Sequence, residues 1–382
     1  MMHLGDYKVI LLLSILTLSG CMPDAKKQNV STISIDPKTV NQEAVLSELV
    51  SEVKVITLET TPECFIEYFS EILYIDKENI IYRSGNSILF FDGKGTYKDK
   101  INSVGKGPDE YVKILNAHIN INDKLVYVVD IDAVKVYDFA GRFINKFAIG
   151  ISPGDVIELK DGKFLVSVSQ NYSEINRDEL FLFNSSGNKI KSFKSKSEEI
   201  IKVSQDFMGM GFVYDIGKEV FYRDFLSDSI FEVSDKFLKP HWFIDSGKYK
   251  LDAEERLNVS KRSETLNNDK VDIKEVFESL KYFFISYSFN DNSYFTVFSK
   301  NNNKCIHKSA YTYDEEKKYD GMINFGIKND LIKNATAFRP NYINGNIIVS
   351  AVNPVYFNVE QRKLFGCKED GNPVLFIGKL KY

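Results

Sequence analysis

Several residue types that would define a function are scarce in this sequence. It has 382 residues but only 4 cysteines, 4 histidines and 1 tryptophan, and its 49 Lys and Arg do not outnumber its 53 Asp and Glu, so the net charge is −4. A protein that neutralises a phosphate backbone needs a basic excess, so we expect no nucleic acid partner. Hydrophobic residues make up 43% and charged residues 27%, which excludes a disordered or fibrous chain.

Motifs of metal and cofactor sites are also missing. No CxxC pair occurs, the histidines His118, His241 and His307 are isolated, and no Gly-Lys-Ser/Thr follows the glycines Gly105 and Gly107. Zinc sites and phosphate-binding loops depend on such spacings. The sequence therefore predicts neither a metal site nor a cofactor.

The one long apolar run lies at the N-terminus. Lys8 precedes Val9–Leu18, which has the length of a signal-peptide core and about half the length of a membrane-spanning helix. The run ends in Leu18-Ser19-Gly20-Cys21, which resembles a bacterial lipobox, in which the cysteine thiol receives a diacylglyceryl group. We expect residues 1–20 to be a signal peptide and Cys21 to anchor the protein in the outer membrane, on its periplasmic or surface face. The alternative is an ordinary secretory signal that happens to end near a cysteine.

Three further cysteines, Cys64, Cys305 and Cys367, follow the lipobox. An oxidising compartment permits one disulfide among them, and the odd number leaves at least one free thiol. The alternative, which we favour, is that all three are small buried hydrophobic residues.

Period-2 alternation dominates from residue 50 onward, in short segments rich in β-branched and aromatic residues. Three segments share one pattern of an apolar strand, Asp or Asn, two residues and then Gly, at a constant step of 46 residues: Ile88–Gly95, Val134–Gly141 and Leu180–Gly187. Asp or Asn begins a turn and Gly supplies the positive φ that closes it, so each copy predicts a hairpin between the outer strands of one unit. A period near 46 is typical of propeller blades.

Three more units follow less regularly, around Val220–Val233, Phe283–Lys300 and Ile343–Leu380. We therefore predict an all-β, six-bladed β-propeller over residues 46–382, preceded by a flexible lipidated tether over residues 21–45.

An insertion is predicted between the fourth and fifth blades. Residues 246–280 break the β rhythm, and they contain two segments that are acceptable as short helices, Asp252–Leu257 and Ile273–Leu280.

Ring closure should involve both ends of the domain. A propeller removes its exposed strand edge by building one blade from both termini. We expect Val53–Leu58 and Pro373–Leu380 to lie in the same blade.

Four segments carry a family resemblance: the blade Val126–Gly141, the loop Gly105–Tyr111, the fourth-blade segment Tyr222–Phe231 and the closing segment Asn372–Leu375. Together they resemble the six-bladed β-propeller lipoproteins of Bacteroidetes-type bacteria, whose blades are related to NHL repeats. The resemblance covers nearly all of the chain after Cys21. It implies the fold and an exported, anchored location, and it implies no particular reaction or ligand.

The loop Gly105–Tyr111 is one candidate ligand site. Lys106 can attract an anion, and Glu110 and Tyr111 can line the mouth of the ring. The alternative, which we favour, is a crossover between blades in which Gly and Pro fix the turn and Tyr111 packs between blades.

The second candidate is the charged group Arg223, Asp224 and Asp228. In a pocket, Arg223 can contact a carboxylate or a sugar. The alternative, which we favour, is an Arg–Asp pair that stiffens the ring.

From these features we predict a monomeric binding or scaffold module that presents one rim to a glycan, a peptide or an envelope protein. The motivation is an anchor joined to a rigid ring with no recognisable catalytic set. The alternative is a lyase or hydrolase with a metal or carboxylate site at the central channel.

Overall fold

Strands dominate the computed structural model of the protein, which describes residues 30–40, 42–131, 133–149, 153–159, 162–168, 170–171, 178–194, 208–209, 211–217, 219–224, 228–252, 255–256, 269–312 and 324–381. They form six sheets, each with four antiparallel strands and one of them with a fifth strand added in parallel, which are the blades of a six-bladed β-propeller. The predicted fold class is therefore confirmed. Within the described ranges, no helix is both long and apolar enough to cross a membrane.

The first three blades follow one another along the chain, each ordered from its first strand at the axis to its fourth at the rim. Blade 1 contains β3 (Glu71–Ile75), β4 (Asn79–Ser84), β5 (Ser87–Asp92) and β6 (Tyr97–Ile101). Blade 2 contains β7 (Asn116–Asn120), β8 (Leu125–Val129), β9 (Ala133–Asp138) and β10 (Phe143–Ala148). Blade 3 contains β11 (Pro153–Glu158), β12 (Phe164–Val168), β14 (Asp178–Phe183) and β15 (Lys189–Lys194), and a small ribbon beside it pairs β13 (Gln170–Asn171) with β16 (Met208–Gly209).

The last three blades use the same order. Blade 4 contains β17 (Phe212–Ile216), β18 (Glu219–Arg223), β19 (Ser229–Val233) and β20 (Leu238–Asp245). Blade 5 contains β21 (Asp272–Glu278), β22 (Tyr282–Phe289), β23 (Asn292–Ser299) and β24 (Lys304–Thr312). Blade 6 contains β25 (Tyr342–Asn344), β26 (Ile347–Val352), β27 (Val374–Leu380) and, at its rim, β2 (Val50–Thr57).

The core of the ring lies between blades. The described buried apolar side chains fall into six clusters, and each cluster joins two neighbouring blades. Phe181 and Phe183, for example, pack with Val129 and Val134 of blade 2. Strands whose two faces are both covered need apolar residues on both, which explains the abundance of Phe and Tyr.

The three predicted hairpins share one turn geometry. Oδ1 of Asp92 accepts hydrogen bonds from the backbone N–H groups two and four residues later, and Asp138 and Asn184 do the same in the next two blades. The glycines that close these turns have φ of +89°, +75° and +79° in chain order. The 46-residue step therefore corresponds to one blade.

Both ends of the domain meet in blade 6, as predicted. Val50–Thr57 pairs antiparallel with Val374–Leu380. A short helix, α1 (Leu46–Leu49), precedes β2, and a second, α2 (Val359–Phe365), lies between β26 and β27. A capping box formed by Asn358 and Gln361 begins α2.

The predicted tether is wrong from Ser31 onward, whereas residues 21–29 lie outside the described part of the chain. β1 (Ser31–Ser34) pairs parallel with β20 as a fifth strand of blade 4, and Ile33 is fully buried. Nζ of Lys308 then donates hydrogen bonds to the backbone carbonyl groups of residues 36, 37 and 39. A polar composition suggested a flexible segment, but one buried isoleucine and an open strand edge are enough to order it.

The predicted insertion is also partly wrong. Ile273–Leu280, expected as a helix, overlaps the strand β21, which pairs with β22 from Asp272 to Glu278 with one register shift between Ile273 and Glu275. The blade needs a first strand at this point, and pairing outweighs a weak helical preference. Asp252–Leu257 lies only partly within the described residues, and Arg256 N donates to Asp252 O there.

Candidate functional site

One face of the ring carries both predicted sites. We call it the crossover face, because the chain crosses there from the fourth strand of one blade to the first strand of the next. The turns between second and third strands also lie on this face, since the strands of a blade alternate in direction. Lys106, Glu110 and Tyr111 lie in the crossover from blade 1 to blade 2, and Asp224 and Asp228 lie in the turn between β18 and β19, directly after Arg223.

A cleft of about 460 Å³ opens on the crossover face between blades 1 and 2. Its volume lies within the range of small-molecule sites. The cleft is lined by Glu67, Tyr68, Phe69, Arg83, Gly85, Asn86, Ser87, Asn102, Lys113 and Ile114. We refer to it as the blade 1–2 cleft.

Two adjacent aromatic side chains form one wall of this cleft. Tyr68 is 72% and Phe69 87% exposed, and their ring centroids lie 4.7 Å apart at an interplanar angle of 82°. Phe69 has a φ of +65°, a conformation that bulky residues rarely adopt. Strain of this kind persists where the surrounding structure imposes it.

Asn372 holds the loop that carries these rings. Its amide group donates to the backbone oxygens of Glu59 and Cys64 at 2.6 and 2.8 Å, and its Oδ1 accepts from the N–H of Ile66 at 2.7 Å. The side chain is fully buried at the junction of this loop with β27. The ring closure thus fixes the aromatic wall of the cleft.

Charged groups on the other sides of the cleft balance one another. Arg83 Nε donates to Glu71 Oε1 at 2.7 Å, while Glu67 and Lys113 bring one further charge of each sign. Gly85 has a φ of +54°, and a Cβ there would stand 2.6 Å from Glu67 Oε2, so glycine leaves room for that carboxylate. Glu71 is not a lining residue, but its pairing with Arg83 leaves the charges of Glu67 and Lys113 to balance each other, so the cleft offers hydrogen-bonding groups with little net charge.

The crossover loop is fixed from both blades. Tyr111 is fully buried, and its hydroxyl donates to Asn86 O at 2.8 Å and accepts from Ser103 N at 3.1 Å. Glu110 Oε2 accepts from the N–H of Gly107 at 2.8 Å. These contacts support the structural alternative for Glu110 and Tyr111, whereas Lys106 is exposed. A ligand role for all three stays a prediction.

Asp130 fixes the same crossover from the blade 2 side. Its carboxylate accepts from the N–H groups of Val112 and Lys113 and from Nζ of Lys135, at 3.1 to 3.2 Å. Burial raises the pKa of this carboxyl, but the hydrogen bonds outweigh burial and hold the pKa below its ordinary value. Lys113 is thus presented to the cleft from a rigid backbone.

The second predicted group is buried in blade 4. Arg223, Asp224 and Asp228 are 7%, 1% and 1% exposed. Asp228 pairs with Arg256, and its Oδ1 lies 3.9 Å from Arg223 Nη2. Burial lowers the pKa of Arg223, although Asp228 acts in the opposite direction. This geometry supports the structural alternative, and none of the three residues lines the blade 1–2 cleft.

The first strands around the axis carry a second unusual carboxyl, Asp155 of β11. Asn116 of blade 2 donates to its Oδ1, and Val213 N of blade 4 lies 3.4 Å from its Oδ2. The pKa of Asp155 is raised to about 7, mainly by burial and in part by the negative charge of Glu71, and these effects outweigh the two hydrogen bonds, which lower it. One side chain therefore links three blades at the channel.

Catalysis by a metal ion, an activated serine or an activated cysteine requires characteristic groupings of side chains. Among the described residues, no three His, Cys, Asp or Glu side chains come together as a metal-ligand set. The pattern Gly-x-Ser-x-Gly occurs at residues 150–154, where the chain runs into strand β11, whereas a nucleophile elbow leads into a helix. Ser152 itself lies outside the described residues. Cys64, Cys305 and Cys367 are free thiols, and Cys64 is buried.

Sequence reasoning missed the residues that form the cleft. Tyr68 and Phe69 did carry a signal, because two adjacent aromatics in a polar stretch between strands cannot both face one core. Arg83 and Lys113 carried none, since only the fold brings a strand end and a crossover together.

The chain resembles known proteins in sequence and in fold. The family model for a domain of unknown function, DUF4934, matches residues 30–379. The chain is similar to a predicted exported protein from Bacteroides fragilis, with a TM-score of 0.67 and 17% identity over 92% of this chain and 100% of that one. A functionally unknown protein from Desulfotomaculum acetoxidans gives a TM-score of 0.39 at 11% identity, over 80% of this chain and 88% of that one. No curated protein matches the sequence.

Proposed function

The chain belongs to the family defined by DUF4934, and from that premise we propose that it is an exported, lipid-anchored propeller that binds an extracytoplasmic ligand in the blade 1–2 cleft. The observation that carries the proposal is the cleft itself. It combines a rigid polar floor with two aromatic side chains that the fold holds in solvent. Large exposed apolar groups grouped at a concave site are typical of ligand recognition.

The direction of the N-terminal strand supports an anchored orientation. β1 runs parallel to β20, a fourth strand that ends at the crossover face, so the N-terminal end of β1 points to the opposite face. A lipid on Cys21 would then hold the propeller with its cleft directed away from the membrane. That orientation leaves the aromatic wall accessible to a soluble or surface-bound ligand.

The anchor is tested by Cys21→Ala. Without the thiol, no diacylglyceryl group can be attached, so the variant should move from the membrane fraction to the soluble fraction and lose incorporation of labelled palmitate. Membrane association that persists in the variant would contradict the lipid anchor.

Occupancy of the cleft can be tested without knowing the ligand. Hydroxyl-radical footprinting would compare oxidation of Tyr68 and Phe69 in freshly isolated envelopes with oxidation after purification in detergent. We expect protection in the envelope only. The matched control is Phe212, which is 44% exposed at the start of β17 on the crossover face and does not line the cleft. Phe237, 54% exposed in the turn between β19 and β20, lies on the opposite face, which the anchor would direct toward the membrane. Equal oxidation of Tyr68 and Phe69 in both samples would refute a cleft ligand.

A further inference from the structure

We propose that the ligand of the blade 1–2 cleft is an uncharged saccharide; this rests on the proposed function and names its ligand class. The inference depends on three features of the cleft: flat apolar surfaces, planar hydrogen-bonding groups and balanced charge.

The flat surfaces are the rings of Tyr68 and Phe69. Because the rings meet edge to face at 82°, they present two differently oriented surfaces rather than one continuous apolar floor. A pyranose ring exposes a small patch of C–H groups on each face, and such polarised C–H groups pack favourably on the negative face of an aromatic ring. An extended apolar side chain would need an enclosed pocket, whereas these rings are 72% and 87% exposed.

The hydrogen-bonding groups are those that recognise hydroxyls. Asn86, Ser87 and Asn102 lie at the strand ends around the cleft, together with the guanidinium of Arg83 and the carboxylate of Glu67. Amide, guanidinium and carboxylate groups are planar and offer donors and acceptors side by side, as vicinal hydroxyls require. Asn86 is exposed, and its side chain is already oriented, because its Oδ1 accepts from Ile114 N at 3.1 Å.

The charges argue against an acidic ligand. The two cations of the cleft, Arg83 and Lys113, are matched by Glu67 and by Glu71, which Arg83 contacts directly. Binding a carboxylate or phosphate there would leave Glu67 close to a like charge. A neutral polyhydroxyl compound meets every one of these groups without that repulsion.

The test uses the full chain, purified in a detergent without a sugar headgroup, and isothermal titration calorimetry. The probes are maltohexaose, xylohexaose and mannohexaose as neutral saccharides, hexagalacturonate as the acidic one, and a tryptic digest of casein as a peptide mixture. We expect one or more neutral saccharides to bind and hexagalacturonate to bind more weakly.

Two variants locate the binding. Tyr68→Ala and Phe69→Ala should each lower the affinity by about tenfold, as expected for the loss of a stacking ring, while Phe237→Ala should leave it unchanged. Lys113→Met should weaken the binding of hexagalacturonate more than the binding of the neutral saccharide, because it removes a positive charge from the cleft. The control is Lys236→Met, at an exposed lysine on the opposite face.

The outcomes separate the two proposals. The neutral class would be overturned if hexagalacturonate bound more tightly than the neutral saccharides and Lys113→Met abolished that binding. Binding of casein peptides in place of saccharides would overturn it as well. Either result would still leave the cleft as a ligand site. Saccharide binding that survives both aromatic substitutions would overturn the assigned site. Binding of no saccharide would overturn the ligand class, while the footprinting in envelopes decides the proposed function independently.

Discussion

Asp155 should make the stability of this protein decrease as the pH rises. Its carboxyl has an ordinary pKa of 3.8 in an unfolded chain and a pKa of about 7 in the folded ring. The folded state therefore binds the proton more tightly, and ionisation between pH 4 and pH 7 favours unfolding. At about 1.4 kcal/mol per pKa unit, this difference costs up to about 4 kcal/mol above pH 7.

The substitution Asp155→Asn removes the ionisation and keeps the shape of the side chain. We expect the variant to be more stable than the wild type at pH 8 by roughly 2 to 4 kcal/mol, and to differ little at pH 4.5. The lower end allows for the amide NH₂, which faces the N–H of Val213 where the carboxylate accepted a hydrogen bond.

Urea unfolding followed by fluorescence gives the measurement. The chain has a single tryptophan, Trp242, which packs against Phe283 and Phe298 at the interface of blades 4 and 5. His118 changes the pH dependence of stability in the opposite direction. Burial lowers its pKa to about 4, so its contribution makes stability rise with pH between about 4 and 6.5. Both proteins carry His118, so the difference between them isolates Asp155.

Asp235→Asn, at an exposed carboxyl in the turn between β19 and β20, controls for the loss of one negative charge. If the free energy of unfolding of Asp155→Asn changes with pH in the same way as that of the wild type from pH 5 to 8, Asp155 is ionised in the folded state and the reasoning is wrong.

Two further predictions concern how the ring closes. Gly95→Ala should lower stability by about 3 kcal/mol in urea unfolding, because φ is +89° and the new Cβ would lie 2.6 Å from the backbone oxygen of Thr57. Gly345→Ala, where φ is +58° and no atom lies within 4 Å, should cost only about 1 kcal/mol, and equal losses would contradict the steric argument. Asn372→Ala should cost about 3 kcal/mol or more by leaving buried backbone groups of the aromatic loop unpaired, and should also raise hydrogen exchange at Ile66. Unchanged exchange at Ile66 would mean that Asn372 does not hold that loop.

Local patterns in the sequence predicted most of the fold. The turns at Asp92, Asp138 and Asn184 depend on one side chain and one glycine each, so their spacing was visible before any tertiary contact was known. Ring closure was predictable as well, because an exposed strand edge needs a partner. By contrast, β21 was predicted as a helix, since its pairing with β22 is a tertiary contact that local preference cannot show.

The candidate site was much less predictable. Lys106, Glu110 and Tyr111 were identified from their loop, and two of them hold that loop in place. The cleft beside them is assembled from the loop before β3, the turn between β4 and β5 and the crossover to β7, which are separated along the chain. No spacing rule connects such segments.

By itself, the sequence determined the repeat, the number of blades and the strand that closes the ring, because these depend on side-chain alternation and turn chemistry within a few residues. The tertiary structure alone decided that Ser31–Ser34 joins blade 4, that Asp155 lies among three blades and that Tyr68 and Phe69 stand beside Arg83 and Lys113. Burial, pKa and the shape of a cleft depend on distances between segments that are remote in the chain, and those distances exist only once the ring has closed.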